Sequence, residues 1–257
     1  MGAGGSKTVI TSTLKHCTLW KADRCPACRA VMMALDAMNL SITEIDINMD
    51  KGEHRTPEMA VMNPIQTLPI FKDRELVLCD SHAINTYLAS RYNNCGQLLP
   101  VDPGGRAIVD QLLHFNSGVL CPLYRSAAYP IMHENCNFVM PQQVSGIQSA
   151  YSDLECMLVG RTWLGGSWPT LADISIAATV STLHILVPID KSKYPRLSSW
   201  LYRMSEELFY ITANKKGLGE FSRRIDSGCV CDEKEFKCPR TSIGRRLGAV
   251  TSETENK

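Results

Sequence analysis

The sequence predicts an α/β domain followed by an all-α domain, on two observations. Strand-like and helix-like patterns alternate up to about residue 93, and beyond it only helical periodicity is found. Between them, residues 94–105 lapse into Asn, Gly, Pro and Asp, the composition of a linker. Strands before a linker and helices after it argue for two domains, each with its own core. The 257 residues suit two modest domains, at roughly 100–200 residues per domain.

Residues 1–15, rich in Gly, Ser and Thr, are expected to be a flexible arm, and residues 16–93 the first domain. Within it, Cys17 to Trp20 reads as a short strand. Pro26 stands at a first helical position, where its missing N–H costs nothing, and Val31, Ala34, Leu35 and Met38 follow with helical spacing. Ser41 to Ile47 alternates as a strand does, and Thr56 to Met62 makes a short helical segment. Leu68 to Phe71 and Leu76 to Cys79 are two further strands, and Ser81 can cap a helix whose Ile84, Tyr87, Leu88 and Tyr92 share a face.

Residues 106–221 form the expected helical domain. Ile108, Leu112, Phe115, Val119 and Leu123 mark one helix, and Leu197, Trp200, Leu201, Met204 and Leu208 another. Thr170-Leu171-Ala172-Asp173 has the form of an N-terminal capping box. Residues 222–257 are polar and aperiodic and are expected to be a mobile tail.

Twenty-seven Lys and Arg against 26 Asp and Glu leave no basic footprint for nucleic acid. The longest apolar stretch, Ala172 to Val187, is interrupted by Asp173, Ser175, Ser181, Thr182 and His184, short of the roughly 18 apolar residues of a membrane span. Eleven cysteines without the basic start and apolar run of a secretory signal point to a reducing, cytoplasmic setting with unpaired thiols. Met1-Gly2-Ala3-Gly4-Gly5-Ser6 fits the myristoylation template, the one route to a membrane that the sequence offers. Cys229, Cys231 and Cys238 are too few for a structural zinc site, no metal is assigned, and His16, His114, His133 and His184 receive no role.

Chemistry concentrates in three motifs. Cys25-Pro26-Ala27-Cys28 lies at a strand-to-helix turn, where the helix dipole and open N–H groups favour a thiolate. A C-x-x-C beside a βαβ pattern is the redox signature of thioredoxin-like domains; the alternative is a passive Cys25 with Cys28 facing the core. In Asn63-Pro-Ile-Gln-Thr-Leu-Pro69, a cis Pro69 would turn the Leu68 backbone outward to an extended, peptide-like ligand. Asp80-Ser81-His82-Ala83-Ile84 offers a hydroxyl and helix-start amides to a carboxylate and an acid to an amine, or else is an ordinary cap.

These motifs, with His114-Phe-Asn-Ser-Gly-Val-Leu and Thr170-Leu-Ala-Asp-Ile-Ser, resemble the cytosolic glutathione transferases, closest to the insect delta and epsilon classes. The match runs from about Leu19 to Leu208. The resemblance implies a thioredoxin-like, glutathione-binding half, a helical half with a pocket for a hydrophobic co-substrate, and a homodimer. It implies that Ser81 takes the γ-glutamyl carboxylate, Asp80 the amine beside His82, and Leu68 with cis Pro69 the cysteinyl unit. His54 and Gln66 would face the glycyl end, and Tyr124, Arg125 and Ala128 would line the apolar pocket.

The family writes Ser where this chain has Cys25 and often His where it has Gln66. A hydroxyl there donates to the glutathione sulfur, and S–H is a weak donor. Three activities remain open: conjugation of glutathione to small hydrophobic electrophiles, in detoxification or steroid and lipid metabolism; glutathione-dependent thiol-disulfide reduction with Cys25 as nucleophile; and non-catalytic binding of apolar ligands such as steroids.

Overall fold

The computed structural model describes residues 11–92, 96–134 and 136–228. The first domain is built on a four-stranded mixed sheet of β1 (Ser12–Lys21), β2 (Leu40–Asp46), β3 (Ile70–Asp73) and β4 (Leu76–Cys79). Its strand order is β2-β1-β3-β4, with β1 and β2 parallel and the other two pairs antiparallel. Helix α1 (Pro26–Ala37) is the crossover that parallel pairing of β1 and β2 requires. A 3-10 turn (Glu53–Arg55) and α2 (Pro57–Met62) lead to β3, and α3 (Ser81–Tyr92) follows β4.

The helical domain comprises α4 (Pro103–Phe115), α5 (Cys121–His133), α6 (Pro141–Met157), α7 (Leu171–Leu186), α8 (Pro195–Glu206), α9 (Leu208–Ala213) and α10 (Lys215–Gly228). Helix α7 is its axis, with every residue from Leu171 to Leu183 buried. Helix α1 packs across α7 and α9 and joins the two domains.

Three boundaries differ from the sequence expectation. Strand β1 begins at Ser12, so residues 12–15 belong to the sheet and not to an arm; Ser12, Thr13 and Leu14 pair in register with Leu40, Ser41 and Ile42. Helix α4 starts inside the expected linker because Asp102 accepts from Gly105 N at 2.7 Å and Pro103 takes the first helical position. Helix α10 runs past residue 221, burying Phe221 and Ile225. The helix expected over 108–123 is interrupted by a π-helical turn at Asn116–Leu120. Pro122 has no N–H to give the carbonyl four residues back, and a π turn is one way to absorb that loss. Gly2, Cys229, Cys231, Cys238 and the rest of the tail beyond 228 lie outside the described residues.

The capping-box residue Asp173 does more than start a helix. Fully buried, it accepts hydrogen bonds from Leu164 N, Gly165 N, Thr170 N, Thr170 Oγ1 and Trp200 Nε1 at 2.7–3.2 Å. One carboxylate thereby ties the loop before α7 to α8.

Candidate functional site

The turn after β1 is closed by Cys25 N donating to Ala22 O at 3.0 Å, and α1 opens as Arg29 N donates to Cys25 O at 3.0 Å. Cys25 is the N-cap residue of α1, in extended backbone, with Pro26 in the first turn. Its Sγ, half-buried, lies 3.9 Å from Leu68 O. A thiol hydrogen bond from Cys28 brings its pKa down to about 6, helped by the backbone N–H groups of Cys28 and Ala27 and by the Arg29 charge, against the opposing effect of burial. Burial and the neighbouring Cys25 sulfur push the Cys28 thiol well up. Cys28 also accepts from Ala22 N at 3.4 Å. The pair is therefore asymmetric: Cys25 holds the negative charge and Cys28 holds the proton.

Behind this pair stands Arg29, 0% exposed. Its guanidinium donates to Asn214 Oδ1 and Thr182 Oγ1 of the helical domain, and its Nε has no hydrogen-bond partner. The second domain thus positions a cation behind the thiolate of the first.

The Leu68–Pro69 bond is cis. The preceding turn is held by Asn63 Nδ2 donating to Thr67 O at 2.8 Å, with Gln66 at φ 57°. His54 is buried, and its Nδ1 has no hydrogen-bond partner; burial lowers its pKa. Such an orphaned ring nitrogen is costly unless a ligand satisfies it.

At the start of α3, Asp80 adopts φ 89°, in a region that non-glycine residues enter uncommonly. Its Oδ1 accepts from His82 N at 2.9 Å and Ala83 N at 3.1 Å. Asp80, and not Ser81, is therefore the residue whose side chain caps α3; Ser81 is buried in the first turn. The His82 ring turns to the helical domain. Asn116 Nδ2 lies 3.0 Å from Nε2, and Ser117 Oγ 3.3 Å from Nδ1. Ser117 already donates to Leu113 O at 2.8 Å, so the ring donates from Nδ1 and accepts at Nε2. That neutral tautomer agrees with the lowering of its pKa by burial, which outweighs the nearby Asp80.

Of the residues expected to line an apolar pocket, Tyr124 packs on Phe221, ring centroids 6.0 Å apart. Burial, and then the Cys25 charge, raise its hydroxyl pKa. Ala128 is packed into the helical core and Arg125 is exposed. Helix α10 closes against the loop before Cys25: a Cβ on Gly217 would sit 1.9 Å from Asp23 O, so only glycine permits the approach. Lys216 Nζ bonds Asp23 Oδ2 at 2.7 Å, and Arg24 clasps Asp50 with bonds of 2.5 and 2.7 Å.

Sequence reasoning missed Arg29, Asn116, Ser117 and Phe221 as site residues, and also Cys121, whose raised thiol pKa, due mainly to burial, reflects both Cys25 and Asp80. The motif His114-Phe-Asn-Ser contained two of them, and the π turn is what presents them to His82.

Comparison with known proteins decides the family. The sequence model of the glutathione S-transferase N-terminal domain matches residues 15–90, and that of the C-terminal domain residues 138–207. The chain belongs to the glutathione S-transferase family. Glutathione S-transferase 1 of Manduca sexta is 41% identical over 202 residues, covering 78% of this chain and 93% of that protein. An epsilon-class glutathione S-transferase from the housefly, Musca domestica, superposes with TM-score 0.80 at 33% identity, over 82% of this chain and 98% of that one. A glutathione transferase homologue from Drosophila mojavensis, with bound glutathione, gives TM-score 0.81 at 32% identity, over 84% and 98%. The thioredoxin-like sheet domain followed by a helical domain is the architecture of these transferases, and this glutathione transferase is an enzyme of that class.

Proposed function

We propose that this transferase binds glutathione along Leu68–Pro69, with its cysteinyl sulfur beside Cys25, and conjugates that sulfur to small hydrophobic electrophiles held beside Tyr124. The observation that carries the reading is the low-pKa Sγ of Cys25 at the N-terminus of α1, 3.9 Å from Leu68 O. The helix-start N–H groups and Arg29 that stabilise a negative sulfur there act on any sulfur brought to the same place. Two anionic sulfurs in contact repel, so Cys25 and glutathione share one proton, and conjugation proceeds when Cys25 holds it and donates. His54, with its unpartnered Nδ1, and Gln66 take the glycyl carboxylate end. Ser81 takes the γ-glutamyl carboxylate and Asp80 the amine, while His82 locks the start of α3 to the second domain.

A second reading is favoured by the same thiolate. Cys25 attacks the glutathione-bearing sulfur of a mixed disulfide, R–S–S–G, and expels R–S⁻, which takes a proton. A second glutathione thiolate then attacks the Cys25–glutathione disulfide, releasing oxidised glutathione and restoring the Cys25 thiolate. Only glutathione is oxidised.

We place the enzyme in the cytoplasm as a homodimer. Thiols such as Cys17, Cys25, Cys28 and Cys79 are unpaired, which suits a reducing compartment. Val61 and Ile65 are 84% and 78% exposed, apolar surface of the kind a subunit contact covers. Among the described residues no helix is long and apolar enough to cross a membrane.

Purified protein is expected to be retained on immobilised glutathione and to form glutathione-dependent adducts with an activated aryl halide. Neither retention nor turnover across a panel of electrophiles would sink the conjugation reading.

A further inference from the structure

Midway along β1, three chemically suited side chains converge outside the glutathione site. In a regular strand, neighbours such as His16 and Cys17 point to opposite faces. Here the β1–β2 ladder pairs Leu14 with Ile42 and then Thr18 with Thr43, so Lys15, His16 and Cys17 bulge out of register. Bulges of this kind re-aim side chains. Cys17 faces Asp73 directly across the β1–β3 ladder. The result is that a ring nitrogen of His16, Cys17 Sγ and an Asp73 oxygen all lie within 4.8 Å of one another.

A second observation concerns Asp73 itself, 4% exposed. Its Oδ2 accepts from the hydroxyls of Tyr87, at 2.7 Å, and Tyr92. Its Oδ1 is buried with no hydrogen-bond partner and lies 3.5 Å from His16 Nε2. The tyrosines thus hold the carboxylate by one oxygen and aim the other into the cluster, the arrangement by which outer hydrogen bonds orient metal ligands. The Tyr92 hydroxyl, 3.2 Å from His16 Nε2 and 3.9 Å from Cys17 Sγ, closes one side. The His16 side chain, 34% exposed, opens the other to solvent.

We propose that His16, Cys17 and Asp73 bind a divalent cation of the zinc class, with water in the fourth position. Thiolate, imidazole and carboxylate are the donor set such ions take, with bonds of about 2.0–2.3 Å, which places ligand atoms about 3.5 Å apart around a tetrahedral centre. The His16–Asp73 separation of 3.5 Å already matches, and a closing of about an ångström completes the set. Binding releases the Cys17 thiol proton to water as the metal–sulfur bond forms. The nearby Arg74, whose charge is felt at both Cys17 and Asp73, makes the site weaker than a four-ligand structural one. The bound ion would pin the middle of β1 to the end of β3.

The test is a Co²⁺ and Zn²⁺ titration of the full chain by absorption and equilibrium dialysis. One equivalent of Co²⁺ is expected to give a thiolate-to-metal charge-transfer band. The band should vanish in Cys17→Ser and persist both in Cys25→Ser with Cys28→Ser and in Cys229→Ser, Cys231→Ser, Cys238→Ser. His16→Ala removes only a surface side chain and leaves the fold intact by circular dichroism; it should weaken Zn²⁺ binding at least tenfold and abolish any rise in melting temperature with Zn²⁺. The proposal is overturned if the wild-type chain takes up no equivalent, if His16→Ala binds as tightly as wild type, or if the band follows the active-site or tail thiols instead.

Discussion

Cys25→Ser should abolish disulfide reduction, by at least about a thousandfold, while leaving glutathione conjugation unchanged or raising it. A thousandfold corresponds to about 4 kcal/mol of transition-state stabilisation, and removing the attacking atom takes away the whole covalent route. Conjugation responds oppositely because the glutathione sulfur, not Cys25, is its nucleophile. Serine does not compete for the negative charge that Ala27 N, Cys28 N and Arg29 stabilise at this position. Its O–H is also a better donor than S–H, and one improved hydrogen bond to an ionised sulfur, at about 1 kcal/mol, amounts to about fivefold in rate. Parallel assays of one preparation against an aryl halide and a glutathione mixed disulfide would measure both. Equal loss of both activities contradicts this division of labour; unchanged reduction removes Cys25 as nucleophile.

Asp173→Ala should destabilise the protein by about 4 kcal/mol. A buried donor left without its acceptor costs about 1–3 kcal/mol, and Leu164 N, Gly165 N, the Thr170 amide and hydroxyl, and Trp200 Nε1 all lose theirs inside the core. At about 2–4 °C per kcal/mol for a chain of this size, the melting midpoint falls by about 10 °C. Trp200 fluorescence and circular dichroism would follow it. The folded fraction should keep the low Cys25 pKa, since Asp173 acts on the helical scaffold. A shift below about 3 °C would show that the web around Asp173 is dispensable.

The contrast between these residues explains what the sequence could and could not convey. Asp173 was legible because capping is local: Thr170 and Asp173 stand three residues apart, and the same spacing that suggests the cap produces it. The sheet was legible by alternation, and Cys25 by its place between a strand and Pro26. Local patterns carried less at the edges, where β1 begins at Ser12 and α4 at Pro103, because Ser, Thr, Pro and Gly read as loop until a partner strand or an Asp102 cap recruits them. The relation of Arg29 to Thr182 and Asn214 is long-range and leaves no spacing in the sequence. So is the convergence of His16 and Cys17 on Asp73, which depends on a bulge. His82 was placed among the glutathione residues, yet its ring spans to Asn116 and Ser117, at the start of a π turn that no helical spacing announces.

The most direct test of the account is the rate at which Cys25 is alkylated by iodoacetamide as pH is varied, read on the Cys25 peptide by mass spectrometry, with and without S-methylglutathione. Only the thiolate reacts, so the rate should rise with pH through a midpoint of about 6 and level off by neutral pH, and the bound glutathione analogue should suppress it. A midpoint near the roughly 8.5 of an ordinary cysteine, or a rate indifferent to the analogue, would contradict a thiolate at the centre of the glutathione site.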